Sequence, residues 1–359
     1  MIGVLGGGQL GRMLALAGYP LGLRFRFLDP APGAPAGQMA EQIAAAYDDA
    51  DALARFADGL ELVTWEWENV PVATVRSVQR HVPVYPPPEA LEVAQDRLVE
   101  KQFFQGLGIP TPSFAAVETR AGLDAAIARL GLPAILKTRR LGYDGKGQVV
   151  LRQVADVEQA WAAVRGVPSI LEAFIPFDRE LSILAARGRD GATAFYPLVQ
   201  NEHQDGMLRC SLVPVQVGGL QQAAESFAQR ILDQLNYVGV LALELFEVDG
   251  ELVANEFAPR VHNSGHWTMG RSETSQFENH LRAVRGLPLG STAVLGHAGL
   301  VNIIGIEPRW ERILAVPGTS MHWYGKQVRP GRKLGHVTVG ADDPDTLQRR
   351  LAAVRGIIG

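Results

Sequence analysis

The chain has 359 residues, 47% of them hydrophobic, enough to bury large cores and to divide into two or three domains. A formal net charge of −4 offers neither nucleic acid nor an anionic membrane surface a general electrostatic attraction. The single cysteine, Cys210, excludes a disulfide framework within the chain and suits a reducing cytosol.

The chain opens directly on strand residues, Met1 to Leu5, without a signal-peptide pattern. It carries no apolar run of about 18 residues, so no membrane span is expected. Gly6-Gly7-Gly8-Gln9-Leu10-Gly11 is a G-x-G-x-x-G turn leading into a helix, and the next strand ends at Asp29. That spacing fits a dinucleotide fold, with the acid on a ribose hydroxyl, but the same turn serves any doubly wound sheet. The strand Leu62 to Trp65 runs into Glu66-Trp67-Glu68-Asn69 and so places two acids where open α/β sheets bind ligands. Pro83 to Pro88 is a stiff extended segment and marks the first boundary.

A helix carrying Gln95-Asp96-Arg97 and Lys101 follows, then an amphipathic helix from Leu123 to Leu130. The strand Ala134 to Lys137 leads into Gly142-Tyr143-Asp144-Gly145-Lys146-Gly147-Gln148 and a second strand. This reads as a hairpin flap whose glycines turn backbone N–H groups toward an anion, with Lys137 and Lys146 supplying charge. It is not a P-loop, which needs a following helix. A basic-tipped surface hairpin is the alternative. Only five of the 34 basic residues are lysines, and Lys101, Lys137, Lys146, Lys326 and Lys333 all fall in motifs. A chain that otherwise uses arginine keeps lysine where a compact ammonium is needed.

After the helix Val157 to Val164, the strand Ser169 to Glu172 bends through Ala173-Phe174-Ile175-Pro176 and resumes at Glu180. An acid beside an apolar linker can bond a base or ribose while the apolar side chains pack on the ring; an ordinary β-bend has the same pattern. His203 reads as a surface or satisfied histidine ahead of a ligand. The strand Leu241 to Phe246, an Asp249-Gly250 turn and the strand Leu252 to Phe257 carry Glu244 and Glu256 within apolar runs. Such carboxylates are costly to bury unless paired or metal-bound, and two of them suit Mg²⁺. A two-residue turn sets Glu244 opposite Asn255 and leaves Glu256 on the other face. A bulge or a three-residue loop is needed for both acids to meet one ion, and the register stays open here.

The loop Ala258 to Trp267 brings Arg260, His262, Asn263, Ser264 and His266 next to these acids. Zinc on His262 and His266 is disfavoured by Gly265, which opposes the helix that spacing requires, and by the lack of a third ligand. From Gly299 the chain is strand-rich, with the basic stretch Lys326 to Lys333 as a solvated turn or an anion site.

Together these motifs resemble the ATP-grasp superfamily, and more narrowly its 5-(carboxyamino)imidazole ribonucleotide synthetase family. The resemblance runs nearly end to end. It rests most specifically on Gly142 to Gln148 and on Asn255 to His266, with Thr64 to Asn69, His322 to Lys326 and Arg329 to His336 in support. It implies an α/β (α+β) fold in three parts: a Rossmann-like N-terminal domain over 1–90, an ATP-grasp domain over 91–288 with a lid over 113–172, and a β-rich C-terminal domain over 289–359. It implies that Arg97, Lys137, Gly142 to Gln148, Glu172, Ala173, Phe174, Ile175, Glu180, His203, Asn255 and Glu256 hold ATP, and that Glu244 and Glu256 hold Mg²⁺. Glu66, Tyr143, Asp144, Arg260, His262, Asn263, Ser264, Lys326 and Arg332 then line the aminoimidazole ribonucleotide and bicarbonate site, with Asp144, Arg260, Lys326 and Arg332 as the catalytic candidates. The expected activity is ATP-dependent carboxylation of that ribonucleotide through carboxyphosphate in purine biosynthesis, by a cytoplasmic homodimer. Arg140-Leu141 stands where smaller residues are expected before Gly142, which stiffens the hinge, and Ala258 argues against the biotin-carboxylase-like branch. The rivals are a formate-using or other ATP-grasp ligase, an NAD-dependent oxidoreductase built on Gly6 to Gly11 and Asp29, and a nucleotide sensor without turnover.

Overall fold

Three sheets carry the chain in a computed structural model that describes residues 1–142 and 145–358. The first is parallel, in the order β3 (Glu41–Ala44), β2 (Phe25–Asp29), β1 (Ile2–Leu5), β4 (Leu62–Trp65). Helices Gln9–Gly18 and Ala50–Ala57 make the crossovers, as parallel pairing demands. The central strands β1 and β4 are buried along their whole length because helices or the neighbouring domain cover both faces, while the edge strand β3 is partly exposed.

The second sheet is the hairpin region, an antiparallel set β5 (Phe114–Val117), β8, β6, β7. Here β6 is Ala134–Thr138, β7 is Gln148–Leu151 and β8 is Ser169–Ala173. Helices Arg120–Leu130 and Val157–Ala163 close one face around Leu123, Leu136, Leu151 and Leu171. The predicted flap is the β6–β7 connection; Tyr143 and Asp144 at its tip lie outside the described residues.

The third sheet is the largest. Its strands are β9 (Arg179–Arg187), β10 (Thr193–Phe195), β11 (Val199–Gln204), β12 (Met207–Val213), β13 (Gly239–Val248), β14 (Glu251–Ala258), β15 (His297–Ile304), β16 (Thr319–Trp323) and β17 (Lys333–Ala341). They lie in the order β14-β13-β9-β11-β12-β15-β17-β16, with β10 on β9, so the C-terminal strands extend the central sheet.

Alternation along β9 and β13 shows how the sheet divides its side chains. Leu181, Ile183 and Ala185, with Leu241, Leu243 and Leu245, face helix Leu220–Gln234. Leu184 and Ala186, with Val240 and Ala242, face the other way, onto helix Gln276–Arg285 and the first helix, Gln9–Gly18. Glu244 falls on this second face. A buried histidine ties the first sheet to the third. His280 Nδ1 accepts the Val240 N–H (3.1 Å), which leaves the proton on Nε2 for Thr64 Oγ1 (2.8 Å). Burial holds His280 down at about 4, keeping it neutral.

Candidate active site

The open register question is answered by a bulge. Glu244 pairs with Glu256 across the β13–β14 ladder, while Leu245 pairs with Ala254, so Asn255 is the extra residue. Parity explains the effect. Leu252 and Ala254 point into the helix layer, and regular alternation would send residue 256 there too. The inserted residue flips the sequence: Phe257 rejoins that layer and Glu256 turns to the face occupied by Glu244.

Burial, and then the charge of Glu256, raise the pKa of Glu244. Two facing carboxylates in a poorly solvated site repel one another and call for a cation. His262 Nε2 lies 3.2 Å from Glu244, but burial and the nearby Arg260 push this histidine well below its usual value, so it is a neutral donor. Its Nδ1 faces Ser264 Oγ at 2.9 Å. The described residues include no cluster of three or more His, Cys, Asp or Glu side chains arranged to hold a metal. Two oxygen donors with room for water and phosphate fit Mg²⁺ and do not fit a structural zinc.

Both acids line a cavity of about 550 Å³, open mouth included. Arg97, Gly142, Arg260 and His262, all expected from the sequence, line it as well. A smaller cleft on the other side of Glu244 gathers Glu180, His203 and Asn255. His203 is no stray surface residue: burial alone would lower its pKa, but the bond from its Nδ1 to Glu180 at 2.6 Å and the charges of Glu244 and Glu180 together raise it. Lys137 and Glu172 form a buried pair at 2.8 Å. Burial pushes Glu172 up, but Lys101 and Lys137 overcome it and hold the carboxyl down at about 2. Its buried Oε1 accepts no hydrogen bond from the described residues, with Lys101 Nζ 3.9 Å away. Beyond it, the N–H groups of Ala173 and Phe174 are taken by Ser113 (2.8 Å) and Pro133 (3.2 Å), and Ile175 is half-buried.

The flap is rooted in the helix that starts at Arg97. Arg97 donates to the Thr138 carbonyl (2.9 Å), and a Cβ on Gly142 would collide with its guanidinium. Asp96 grips Arg139 with two bonds, 2.9 and 2.8 Å, and reaches Arg140 at 3.2 Å. Gly145 and Gly147 both have positive φ, and exposed Lys146 lies between them.

The two acids at the end of β4 have different partners. Glu66 turns inward and accepts from the N–H groups of Gly8 (2.9 Å), Leu10 (3.1 Å) and Gly11 (3.2 Å). A Cβ on Gly8 would sit 2.7 Å from its Oε1, which is why glycine is needed there. Asp29 accepts from Gly7 (2.7 Å) and Ala31 (2.8 Å). The amides a dinucleotide pyrophosphate would use are therefore occupied by the protein's own carboxylates. Glu68 instead lines the cavity, paired with Arg260.

Lys326 reaches across from the C-terminal strands to Gln9 on the same turn, and its ammonium lies 5.8 Å from the Tyr324 ring. Asn263 and Asn302 exchange amide bonds of 3.1 and 2.8 Å, fixing the start of the 262–268 segment on β15. Arg332 is half-buried and donates to the Gln327 carbonyl (3.3 Å) inside the basic turn. The sequence reading placed Glu66 and Glu68 together at a ligand-binding strand end without separating them, missed Arg139 as a cavity-lining residue and gave Glu100 no role. The signal for Glu100 was present: it sits four residues before buried Phe104, on the apolar face of its helix.

Comparison with known proteins adds to this geometry. Family models match in chain order: a ribonucleotide synthetase preATP-grasp domain over residues 1–95, an ATP-grasp domain over 102–277, and a phosphoribosylaminoimidazole carboxylase C-terminal domain over 298–350. The chain is 57% identical to the N5-carboxyaminoimidazole ribonucleotide synthase of Pseudomonas aeruginosa, over 99% of both. The crystal structure of the Thermus thermophilus N5-carboxyaminoimidazole ribonucleotide synthetase superposes with a TM-score of 0.96 at 56% identity, covering 100% of this chain and 99% of the other. The Aspergillus clavatus N5-carboxyaminoimidazole synthase, in complex with ADP and 5-aminoimidazole ribonucleotide, gives a TM-score of 0.93 at 28% identity over 99% and 98% of the two chains. On this similarity over its whole length, the chain belongs to the N5-carboxyaminoimidazole ribonucleotide synthase family of ATP-grasp ligases.

Proposed function

We propose that this chain carboxylates 5-aminoimidazole ribonucleotide with bicarbonate at the expense of ATP, in purine biosynthesis. The observation that carries the site assignment is the Glu244–Glu256 pair, which lines one cavity together with Arg97 and Gly142 from the flap side and Arg260 and His262 from the acceptor loop. On this reading, phosphoryl acceptor and phosphoryl donor meet at one pair of acids.

Bicarbonate is a poor electrophile, and phosphorylation by ATP converts it to carboxyphosphate with release of ADP. The ribonucleotide amine then takes the carboxyl carbon, phosphate leaves, and the amine gives up a proton. Lys137, Arg97 and the flap amides bind and orient the phosphates, and Glu172, Glu180 and His203 hold the nucleoside. Glu244 and Glu256 hold Mg²⁺, which neutralises charge on the transferring phosphoryl group when bound. Arg260, His262, Asn263, Ser264, Lys326 and Arg332 bind the ribonucleotide and bicarbonate, with Glu66 behind them setting the glycine turn that Lys326 touches through Gln9. A flap closing over the cavity excludes water from carboxyphosphate. Asp144 on that flap is the candidate to take the amine proton.

The functional units proposed are residues 1–90, 91–288 and 289–359, assembled as a cytoplasmic homodimer. No helix among the described residues is long and apolar enough to cross a membrane. The deciding assay follows ADP release with Mg-ATP, bicarbonate and the ribonucleotide, omitting each in turn. Release that needs bicarbonate and ribonucleotide together supports this reading. Release indifferent to the ribonucleotide, or supported by formate, overturns the acceptor assignment.

A further inference from the structure

The bulge that turns Glu256 toward Glu244 is held from outside the hairpin. β14 is the edge strand of its sheet, so the outward N–H and C=O groups near the bulge have no ladder partner. Helix Arg97–Gly106 covers that edge with two consecutive charged residues. Glu100 Oε1 accepts the Phe257 N–H at 2.8 Å, and Lys101 Nζ donates to the Asn255 carbonyl. These are the residues immediately after and before Glu256. Both side chains are nearly inaccessible, at 2% and 1% exposure, so neither is a solvated surface charge. Phe103 and Phe104 flank Phe257 with ring centroids 6.2 and 6.0 Å away, packing the same junction. Lys101 also lies 3.9 Å from Glu172, the acid paired with Lys137.

We propose that Glu100 and Lys101 are positioning residues that clamp the backbone on either side of Glu256, fixing its carboxylate opposite Glu244 for the divalent cation. A strand can remove a bulge by slipping one residue, which would send Glu256 into the apolar layer and Asn255 into the site. The two clamping bonds are made only in the bulged register. Through Lys101 the same clamp touches Glu172, so the cation acids and the nucleotide-side acid share one support.

This inference rests on the metal role given to Glu244 and Glu256 above, and its test uses binding as well as turnover. Mn²⁺ serves as the probe, and its binding to the full-length protein in the presence of ADP is followed by electron paramagnetic resonance. Glu100→Asp keeps the carboxyl group but withdraws the acceptor by one C–C bond, roughly 1.5 Å. Glu100→Gln keeps an acceptor oxygen in place and removes the charge. The clamp predicts that Glu100→Asp weakens Mn²⁺ binding roughly tenfold while Glu100→Gln stays near wild type. The half-saturating Mg²⁺ concentration for ADP release should rise in parallel, with ADP affinity in chelator unchanged. Wild-type Mn²⁺ affinity in Glu100→Asp, or a larger loss in Glu100→Gln than in Glu100→Asp, overturns the clamp. A wild-type protein that binds no Mn²⁺ with ADP overturns the metal pair itself, a failure distinct from that of the clamp.

Discussion

The glycine turn at residues 6–11 and the acid pair on the β13–β14 hairpin are both places where charge meets backbone, and they are satisfied in opposite ways. At the turn, three amides and the Glu66 carboxylate satisfy one another inside the protein. At the hairpin, Glu244 and Glu256 face each other, and the side chain bonded to Glu244, His262, is neutral. The first arrangement is complete in the folded chain. The second leaves like charges facing one another, which the cation proposed above would relieve. Glycine turns and buried acids are thus informative only once their partners are known: a satisfied group supports the fold, and an unsatisfied one marks where a ligand belongs.

Substitution at the acid pair should separate these roles most strongly. Glu244→Gln or Glu256→Gln is expected to lower ribonucleotide-dependent ADP release by about 10²–10³-fold, the usual loss when charge stabilisation of a transferring group is removed. The unfolding midpoint should stay level or rise, since a like-charge repulsion disappears. A fall in stability that accounts for the lost turnover would remove these acids from the chemistry.

Next comes the Lys137–Glu172 pair, where the charges are matched. Lys137→Met leaves Glu172 buried with Lys101 alone and should cost about 3 kcal/mol in urea unfolding, because a buried ion loses its close partner. The ATP KM should rise by more than tenfold as well. An unchanged unfolding free energy would show that the pair is solvated rather than buried.

The buried histidines extend the comparison to pH. Burial lowers the pKa of His266, His280 and His336 below the usual 6.5, that of His280 to about 4. The unfolded chain binds protons that the folded chain refuses, so stability is complete above pH 6.5 and declines as pH falls toward 4. His280 alone accounts for roughly 3 kcal/mol of that decline. A thermal midpoint that is flat between pH 7 and 4.5 would contradict this, and His280→Asn should show the shallower slope.

The smallest effect belongs to the satisfied turn. Glu66→Gln keeps one acceptor oxygen but turns an NH₂ donor onto at least one buried N–H, and should cost about 2 kcal/mol in stability, the penalty of an unsatisfied buried donor. A loss several times larger would mean that the carboxylate charge, rather than its bonds, holds the turn.

Much of this site was legible before any coordinates. Gly142 to Gln148 and the loop Asn255 to His266 carry residue types whose chemistry is specific, and the fold class followed from the family resemblance that these motifs carry. Glu66 and Glu68 were both legible as acids at a strand end. Their division of labour was not, because it depends on which one meets the amides of a turn 58 residues earlier. His203 looked like a surface residue because its partner, Glu180, lies 23 positions away on another strand.

The sequence by itself determined that two acids sit in apolar strands on either side of an Asp-Gly turn, and that regular pairing would keep them apart. That follows from the two-residue period of a strand, which is a local property. Only the tertiary structure decided that Asn255 is extruded and that Glu256 joins Glu244. The bulge is stabilised by contacts from Glu100 and Lys101, about 155 residues away in the chain, and no local propensity encodes a bond of that range.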